Sequence, residues 1–260
     1  MKALFLDIDG VIQASYDQDR FNHVKEFVEL SKRLTKELDN GYDYYKYGGD
    51  PDKYGILPAA QYDVAAVYYD WRPEIVERLR RILDTTGAKI VLSSDWREKG
   101  LHNMRGLLDI HGLGKYLYDK APFCVPYWKD FMKDIYPEEV AYRMYSETTD
   151  VRWQLRDNLE KLYPNTSDDY HGFDERTAEI REFLDRHREI TAFAAVDDRD
   201  LLRGLEGHFV QTWPLISEEQ AQQVIQMLGI EDGPYPLPPE VLTPELEQWR
   251  KKMVYNCTYM

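Results

Sequence analysis

The sequence predicts an α/β fold: a three-layer parallel sheet with helices on both faces and with inserted segments. Short apolar runs typical of buried strands alternate with longer stretches of helical periodicity, which is the pattern of a parallel sheet wrapped by helices. Acidic or hydroxyl residues follow three of these runs directly. Because ligand sites in open α/β sheets lie at the carboxyl ends of strands, a functional site is expected at this edge.

The first predicted strand, residues 3–6, is an apolar run that leads into Asp7-Ile-Asp9-Gly10. Residues two apart point to the same side of an extended chain, so we expect Asp7 and Asp9 to face one pocket. Gly10 lets the chain turn sharply after them. Two close carboxylates repel each other unless a cation lies between them or one stays protonated. A hard, oxygen-binding cation such as Mg²⁺ would relieve this repulsion.

Two helices with an irregular segment between them are predicted next. Residues 21–38 carry apolar side chains at mostly helical spacing. The second helix opens at residues 71–73 with a proline in its first turn and ends at Gly87. Between the helices, residues 42–69 are rich in tyrosine and contain Gly-Gly, Asp-Pro and Leu-Pro breakers, which indicates an irregular insertion. Its tyrosines are interpreted as the core of a small cap, with a base-stacking platform as the alternative.

Two further predicted strands are apolar runs that also lead into polar residues. Residues 89–92 run into Ser93 and Ser94, and residues 190–196 run into Asp197-Asp198. Parallel strands place their carboxyl ends on one edge of the sheet, so these residues can converge with the carboxylates after the first strand. A group of acids with a hydroxyl suits Mg²⁺-assisted phosphoryl transfer.

The other segments complete the predicted alternation of strands and helices. The predicted elements are a helix over 174–188, a short strand at 208–212 and a helix from Ser217 to Leu228. Ser217-Glu-Glu-Gln220 has the spacing of a capping box at the start of that last helix. Residues 110–172 are interpreted as a second irregular region with a helix around 150–162.

Composition restricts the classes of partner. The formal net charge of −14 argues against broad binding to nucleic acid or to anionic membranes, although it leaves room for a small basic pocket. Cys124 and Cys257 have no metal-type spacing, and we interpret them as free thiols in a reducing compartment. No apolar run approaches the roughly 20 residues that span a bilayer, so a cytoplasmic protein is the expectation.

Taken together, these motifs resemble the haloacid dehalogenase (HAD) superfamily. The stretches LFLDIDGVI, WRPEIVERLRRILDTTGAKIVLSSDWR, RTAEIREFLDRH, AAVDDRD and HFVQT are similar to the branch of that superfamily found in multidomain RNA-repair proteins. The resemblance implies a Rossmann-like, HAD-like core made of residues 1–12, 71–110 and 173–230. The remaining segments are then two insertions that serve as candidate caps, 13–70 and 111–172, and a Pro-rich extension, 231–260.

The resemblance also implies an activity, a Mg²⁺-dependent phosphomonoesterase, and roles for the acids. Asp7 would be the nucleophile that forms an aspartyl-phosphate. Asp9 would protonate the leaving group, then activate the attacking water, and its backbone carbonyl would bind Mg²⁺. Asp197, assisted by Asp198, would complete the metal site.

Phosphate-binding roles are implied for hydroxyl and basic residues. Ser93 or Ser94 would bind the phosphoryl oxygens, and the register between the two stays open. Arg176 matches the basic position of the third motif, where lysine is commoner, with Lys120 and Lys115 as rivals. Gly10 and Arg97 are further candidates for contact with the substrate.

Other interpretations stay open at the level of sequence. Asp197-Asp198 alone could cap a helix at 199–204, and Trp96 is interpreted as a packing residue. The fold could serve as a non-catalytic binding or regulatory module, or transfer phosphate to an acceptor other than water. The expected substrate is a nucleotide, a nucleic-acid end phosphate or a small phosphometabolite; no oligomeric state is predicted.

Overall fold

The structure is a computed structural model that describes residues 1–45, 59–122, 175–202 and 204–229. The predicted helix around 150–162, the Pro-rich extension and both cysteines lie outside the described residues. Among the helices that are described, none combines the length and the apolar character needed to cross a membrane.

Five strands form one parallel sheet in the order β3-β2-β1-β4-β5, which confirms the predicted α/β fold. The strands are β1 (Lys2–Leu6), β2 (Lys89–Leu92), β3 (Leu117–Lys120), β4 (Ala192–Asp197) and β5 (Phe209–Gln211). Leu6 at the end of β1 pairs with Leu92 of β2 and with Val196 of β4. This register places the residues that follow the three central strands side by side at one edge.

Six α-helices are described, some of them flanked by short 3₁₀ or π turns. They are α1 (Phe27–Leu38), α2 (Ala59–Ala65), α3 (Pro73–Thr86), α4 (Leu101–Asp109), α5 (Glu175–Arg186) and α6 (Glu218–Gly229). The 3₁₀ helices are Asp19–Glu26, Asp95–Lys99 and Gly114–Tyr116, and a π-helix, Ala66–Asp70, continues α2.

The ends of α3 and α6 follow the signals in the sequence. Pro73 lies in the first turn of α3, and Gly87 ends the helix with φ +70° and an N–H that donates to the Leu83 carbonyl at 2.9 Å. At the start of α6, the Ser217 hydroxyl accepts from the Gln220 N–H at 3.2 Å, and the Gln220 side chain accepts from the Ser217 N–H at 2.7 Å. This is the predicted capping box.

The main hydrophobic core lies on one face of the sheet. Leu6, Leu92 and Val196 contribute to it from the central strands. Helix α6 packs against both α3 and β4. Residues on the opposite face of the strands, such as Phe5 and Phe193, are buried as well, as expected for a parallel sheet.

The chain divides into two compact units. Within the described residues, the first unit consists of 1–45, 59–120, 191–199 and 210–229. The second consists of 121–122, 175–190, 200–202 and 204–209, and it contains α5. The division into a core with two inserted caps stays a prediction.

Two sequence-based interpretations of secondary structure were wrong, and one alternative that the sequence left open is excluded. Residues 59–69, interpreted as part of an irregular insertion, are helical. Residues 117–120, placed in the second irregular region, form the edge strand β3. The segment 199–204 has no helix in its described residues, so Asp197 and Asp198 do not cap one there. Strand β3 has only four residues and forms by pairing with β2, which no local pattern in its sequence predicts.

Candidate active site

Three carboxylates meet at the carboxyl edge of the sheet. Asp7 follows β1, Asp197 ends β4, and Asp198 follows it. One oxygen from each lies within 4.8 Å of the others. Asp7 and Asp197 are buried, and Asp198 is partly buried. The predicted convergence of these three acids is therefore what the structure shows.

Backbone hydrogen bonds hold this group in place. The Asp7 N–H donates to the Val196 carbonyl at 3.0 Å, which extends the β1–β4 pairing by one residue. The Asp197 carboxylate accepts from the Arg199 N–H at 2.9 Å, and its backbone carbonyl accepts from the Thr212 N–H at 2.9 Å. The acids are thus positioned by the sheet itself and by the turn that follows β4.

The donor set fits a hard divalent cation. All three side chains offer oxygen, which Mg²⁺ prefers over nitrogen or sulfur. Three carboxylates confined in a mostly buried space repel one another, and a bound cation would offset that repulsion. Asp7, Asp197 and Asp198 could therefore hold a metal ion.

Gly10 lies directly against this group. Its φ is +74°, and a Cβ at this position would lie 2.4 Å from the Cβ of Asp198. Its carbonyl accepts from the Thr212 hydroxyl at 2.9 Å. Only glycine combines this left-handed backbone with so close a neighbour, so Gly10 lets the turn after β1 reach Asp198.

Asp9 is set apart from the three-carboxylate group. Its two carboxylate oxygens accept from different side chains, Gln13 Nε2 at 2.8 Å and Trp96 Nε1 at 3.0 Å. Burial raises the pKa of Asp9 above its usual range, the Asp7 charge raises it further, and the two hydrogen bonds act in the opposite direction. A carboxyl group with a raised pKa is suited to give and take a proton.

Ser93 and Ser94 are both buried, but the structure distinguishes them. The Ser93 N–H donates to the Leu6 carbonyl at 3.1 Å, so Ser93 lies beside Asp7 in the sheet register. Ser94 is the N-cap of the following 3₁₀ helix, and its hydroxyl accepts from the Trp96 N–H at 3.3 Å. Arg97 is 1% exposed and donates to the backbone carbonyls of both serines, which stabilises this turn.

The candidate basic residues lie in different parts of the chain. Arg176 is buried in the first turn of α5, in the second unit. Lys120 ends β3 opposite Leu92, and its pKa is lowered by burial and by the charge of Arg97. Lys115 lies in a 3₁₀ helix with its ammonium group 4.7 Å from the centre of the Tyr116 ring. The choice among the three for the phosphate stays a prediction.

Two residues beside Asp9 were not identified as functional from the sequence. No motif in the sequence indicates a role for Gln13, and the sequence favours packing for Trp96, yet both donate to the Asp9 carboxylate. Trp71 also lies in this network, because its indole N–H donates to Gln13 Oε1 at 3.2 Å. The closeness of Gln13 to Asp9 in sequence was the one available signal, and the tryptophans carried none.

Comparison with known proteins finds one family match, in the N-terminal part of the chain. Residues 3–125 match the model described as the HAD domain in Swiss Army Knife RNA repair proteins. The matched range contains Asp7, Asp9 and the turn after β2, and it ends before β4. No curated protein and no solved structure gives a significant match to the chain. The resemblance stated from the sequence motifs is thus confirmed over residues 3–125.

Proposed function

We propose that this chain, whose residues 3–125 match the HAD domain of RNA-repair proteins, is a Mg²⁺-dependent phosphomonoesterase. The observation that carries the proposal is the division of four acids into two environments. Asp7, Asp197 and Asp198 form a group that could hold a metal, whereas Asp9 is held separately by two N–H donors. Phosphoester hydrolysis through a covalent intermediate needs both arrangements, a nucleophile beside a cation and an acid that can transfer a proton.

Asp7, Asp197 and Asp198 would hold the Mg²⁺, together with the backbone carbonyl of Asp9 that the resemblance implies. When bound, the cation would neutralise charge on the carboxylates and on the phosphoryl oxygens. Ser93, which lies beside Asp7 in the sheet register, would donate to a phosphoryl oxygen. A basic side chain would bind the remaining phosphate charge, and Arg176, Lys120 and Lys115 stay the candidates for it.

The reaction would proceed in two displacements. A carboxylate oxygen of Asp7 attacks phosphorus, the bond from phosphorus to the leaving oxygen breaks, and protonated Asp9 gives that oxygen its proton. The products of this step are an aspartyl-phosphate and a free alcohol. Asp9 then takes a proton from water as the water oxygen attacks phosphorus. The bond to Asp7 breaks, and inorganic phosphate and the starting carboxylate are released.

The proposed substrate is a phosphate monoester on a nucleotide, on a nucleic-acid end or on a small metabolite. The family match to RNA-repair proteins supports the first two. The net charge of −14 disfavours an extended surface that binds nucleic acid, and it is compatible with a single phosphate held in a local pocket. No contact with a membrane is part of the proposal.

The test is release of inorganic phosphate from p-nitrophenyl phosphate and from oligonucleotides with a terminal 3′- or 5′-phosphate. Release that requires Mg²⁺, that EDTA stops and that Asp7→Asn abolishes would support the proposal. Asp39→Asn is the matched control, because Asp39 is exposed and its φ of +41° suits asparagine.

Two results would point elsewhere. Folded protein that binds Mg²⁺ and releases no phosphate from any substrate would favour a non-catalytic binding module. Loss of phosphate from the donor without free inorganic phosphate, but with a phosphorylated acceptor, would show phosphotransfer.

A further inference from the structure

Asp9 lies in a chain of side-chain hydrogen bonds that the proposed reaction does not by itself require. Gln13 Nε2 donates to Asp9 Oδ1 at 2.8 Å, and Trp96 Nε1 donates to Asp9 Oδ2 at 3.0 Å. We propose that Gln13, Trp96 and Trp71 are positioning residues that fix the plane of the Asp9 carboxyl group for proton transfer. This inference rests on the proposed function, because it assigns residues that serve the acid of that reaction.

Trp71 determines which way the Gln13 amide faces. An indole N–H can only donate, so the amide atom 3.2 Å from Trp71 Nε1 must be the oxygen. The amide nitrogen then points toward Asp9, where it donates. Trp71 is itself immobilised, because it is 1% exposed and its ring stacks on His111 at 5.7 Å. A buried ring thus dictates the orientation of a group next to the acid.

The backbone around Gln13 adds a second constraint. The Gln13 N–H donates to the Ile8 carbonyl at 3.0 Å, and the Gly10 N–H donates to the Gln13 carbonyl at 2.7 Å. The turn after β1 therefore closes on itself and returns Gln13 to the side of Asp9. The short reach from backbone to carboxylate leaves the Gln13 side chain little rotational freedom.

Trp96 reaches Asp9 from the turn after β2. Its backbone N–H donates to the Ser94 hydroxyl, and the Lys99 ammonium group lies 4.9 Å from the centre of its ring. The Trp71 and Trp96 rings are neighbours, with centroids 6.4 Å apart. The two donors to Asp9 come from different loops. Gln13 is held by Trp71, and Trp96 packs against that same ring.

Two fixed donors on opposite oxygens hold a carboxyl group in one plane. Each oxygen keeps a free lone-pair direction, which is where a proton can be carried toward a leaving group. A carboxyl group that rotates loses the alignment on which general acid catalysis depends. Loss of a donor should therefore slow the step that needs the acid and leave substrate binding largely intact.

The test compares two substrates that differ in their need for an acid. An alkyl phosphate has a poor leaving group and needs protonation, whereas p-nitrophenyl phosphate has a good one. Gln13→Met and Trp96→Phe each keep most of the side-chain volume and remove the donor. We expect kcat/KM for the alkyl phosphate, which reports the first displacement, to fall about tenfold or more, with a much smaller fall in kcat/KM for p-nitrophenyl phosphate. Gln222→Met on the exposed face of α6 is the matched control and should change neither.

Heteronuclear NMR of the indole N–H groups gives a readout that is independent of turnover. Gln13→Met should shift the Trp71 indole resonance, Asp9→Asn should shift that of Trp96, and the resonance of exposed Trp213 should stay in place. Equal losses of kcat/KM on both substrates in an Asp7-dependent enzyme would overturn the positioning roles and leave the proposed function standing. Absence of turnover by wild-type protein with intact indole contacts would overturn the proposed function, and the inference with it.

Discussion

Gly10→Ala tests how closely the turn after β1 packs on the carboxylate group. Because φ at Gly10 is +74°, the left-handed backbone would lower the free energy of unfolding by about 1–2 kcal/mol in the alanine variant. That free energy corresponds to a melting temperature lower by about 2–8 °C. The added Cβ would also lie 2.4 Å from the Asp198 Cβ and 2.6 Å from one of its carboxylate oxygens. Asp198 would therefore have to shift from its present position in the three-carboxylate group.

The effect of Gly10→Ala on Mg²⁺ affinity can be measured separately from its effect on stability. Displacing Asp198 should weaken Mg²⁺ binding roughly 10–100-fold, as is typical when groups that orient metal ligands are altered. Gly87→Ala is the matched control, because Gly87 has φ +70° with no atom within 4 Å of its added Cβ. It should show only the loss of stability that the left-handed backbone causes, about 1–2 kcal/mol, and an unchanged affinity for Mg²⁺. Thermal denaturation without metal and calorimetric titration with Mg²⁺ measure the two quantities. Wild-type affinity in Gly10→Ala would refute the reasoning that places Asp198 in the metal site.

Three further predictions follow from the same structure. Saturating Mg²⁺ should raise the free energy of unfolding, by about 2.7 kcal/mol at a hundred times its dissociation constant, and Asp197→Asn should lose most of this gain in a melting experiment. Ser217→Ala should destabilise the protein by about 1 kcal/mol through loss of the α6 cap, and chemical denaturation with an unchanged slope would measure it. His111 has a pKa lowered by burial, and it donates from Nε2 to the Val67 carbonyl at 2.8 Å. The unfolded chain therefore takes up a proton at His111 first as the pH falls, so the free energy of unfolding decreases from about pH 7 to pH 5. His111→Gln should flatten this dependence, and an unchanged slope would show that another group causes it.

The position of the three-carboxylate group could be predicted from the sequence because two local signals combine. Apolar runs of strand length mark where β1 and β4 end, and parallel pairing brings those ends to one edge. Asp7 and Asp197 are then neighbours, and this conclusion does not depend on the structure of the segments between the two strands. The same logic brings Ser93 and Ser94 to this edge, and the structure adds that Ser93 lies beside Asp7, whereas Ser94 caps the following 3₁₀ helix.

Elements whose structure depends on distant partners could not be predicted. Strand β3 is Leu-Tyr-Asp-Lys, too short and too polar for a strand signal, and it forms because β2 offers a free edge. The π-helix at Ala66–Asp70 has no recognised sequence signal, yet it leads directly to Trp71. Trp96 donates to Asp9 from 87 positions away, and Trp71 donates to Gln13 from 58 positions away. No local sequence pattern predicts hydrogen bonds over such separations.

The proposed reaction requires Asp7 to be a nucleophile beside a cation that Asp197 and Asp198 help to hold. A crystal structure of the protein with Mg²⁺ and beryllofluoride, a mimic of the phosphoryl group, tests it most directly. We expect beryllofluoride on a carboxylate oxygen of Asp7 and one Mg²⁺ in contact with Asp7, Asp197 and Asp198. Beryllofluoride on another residue, or a cation bound away from these three acids, would contradict the account.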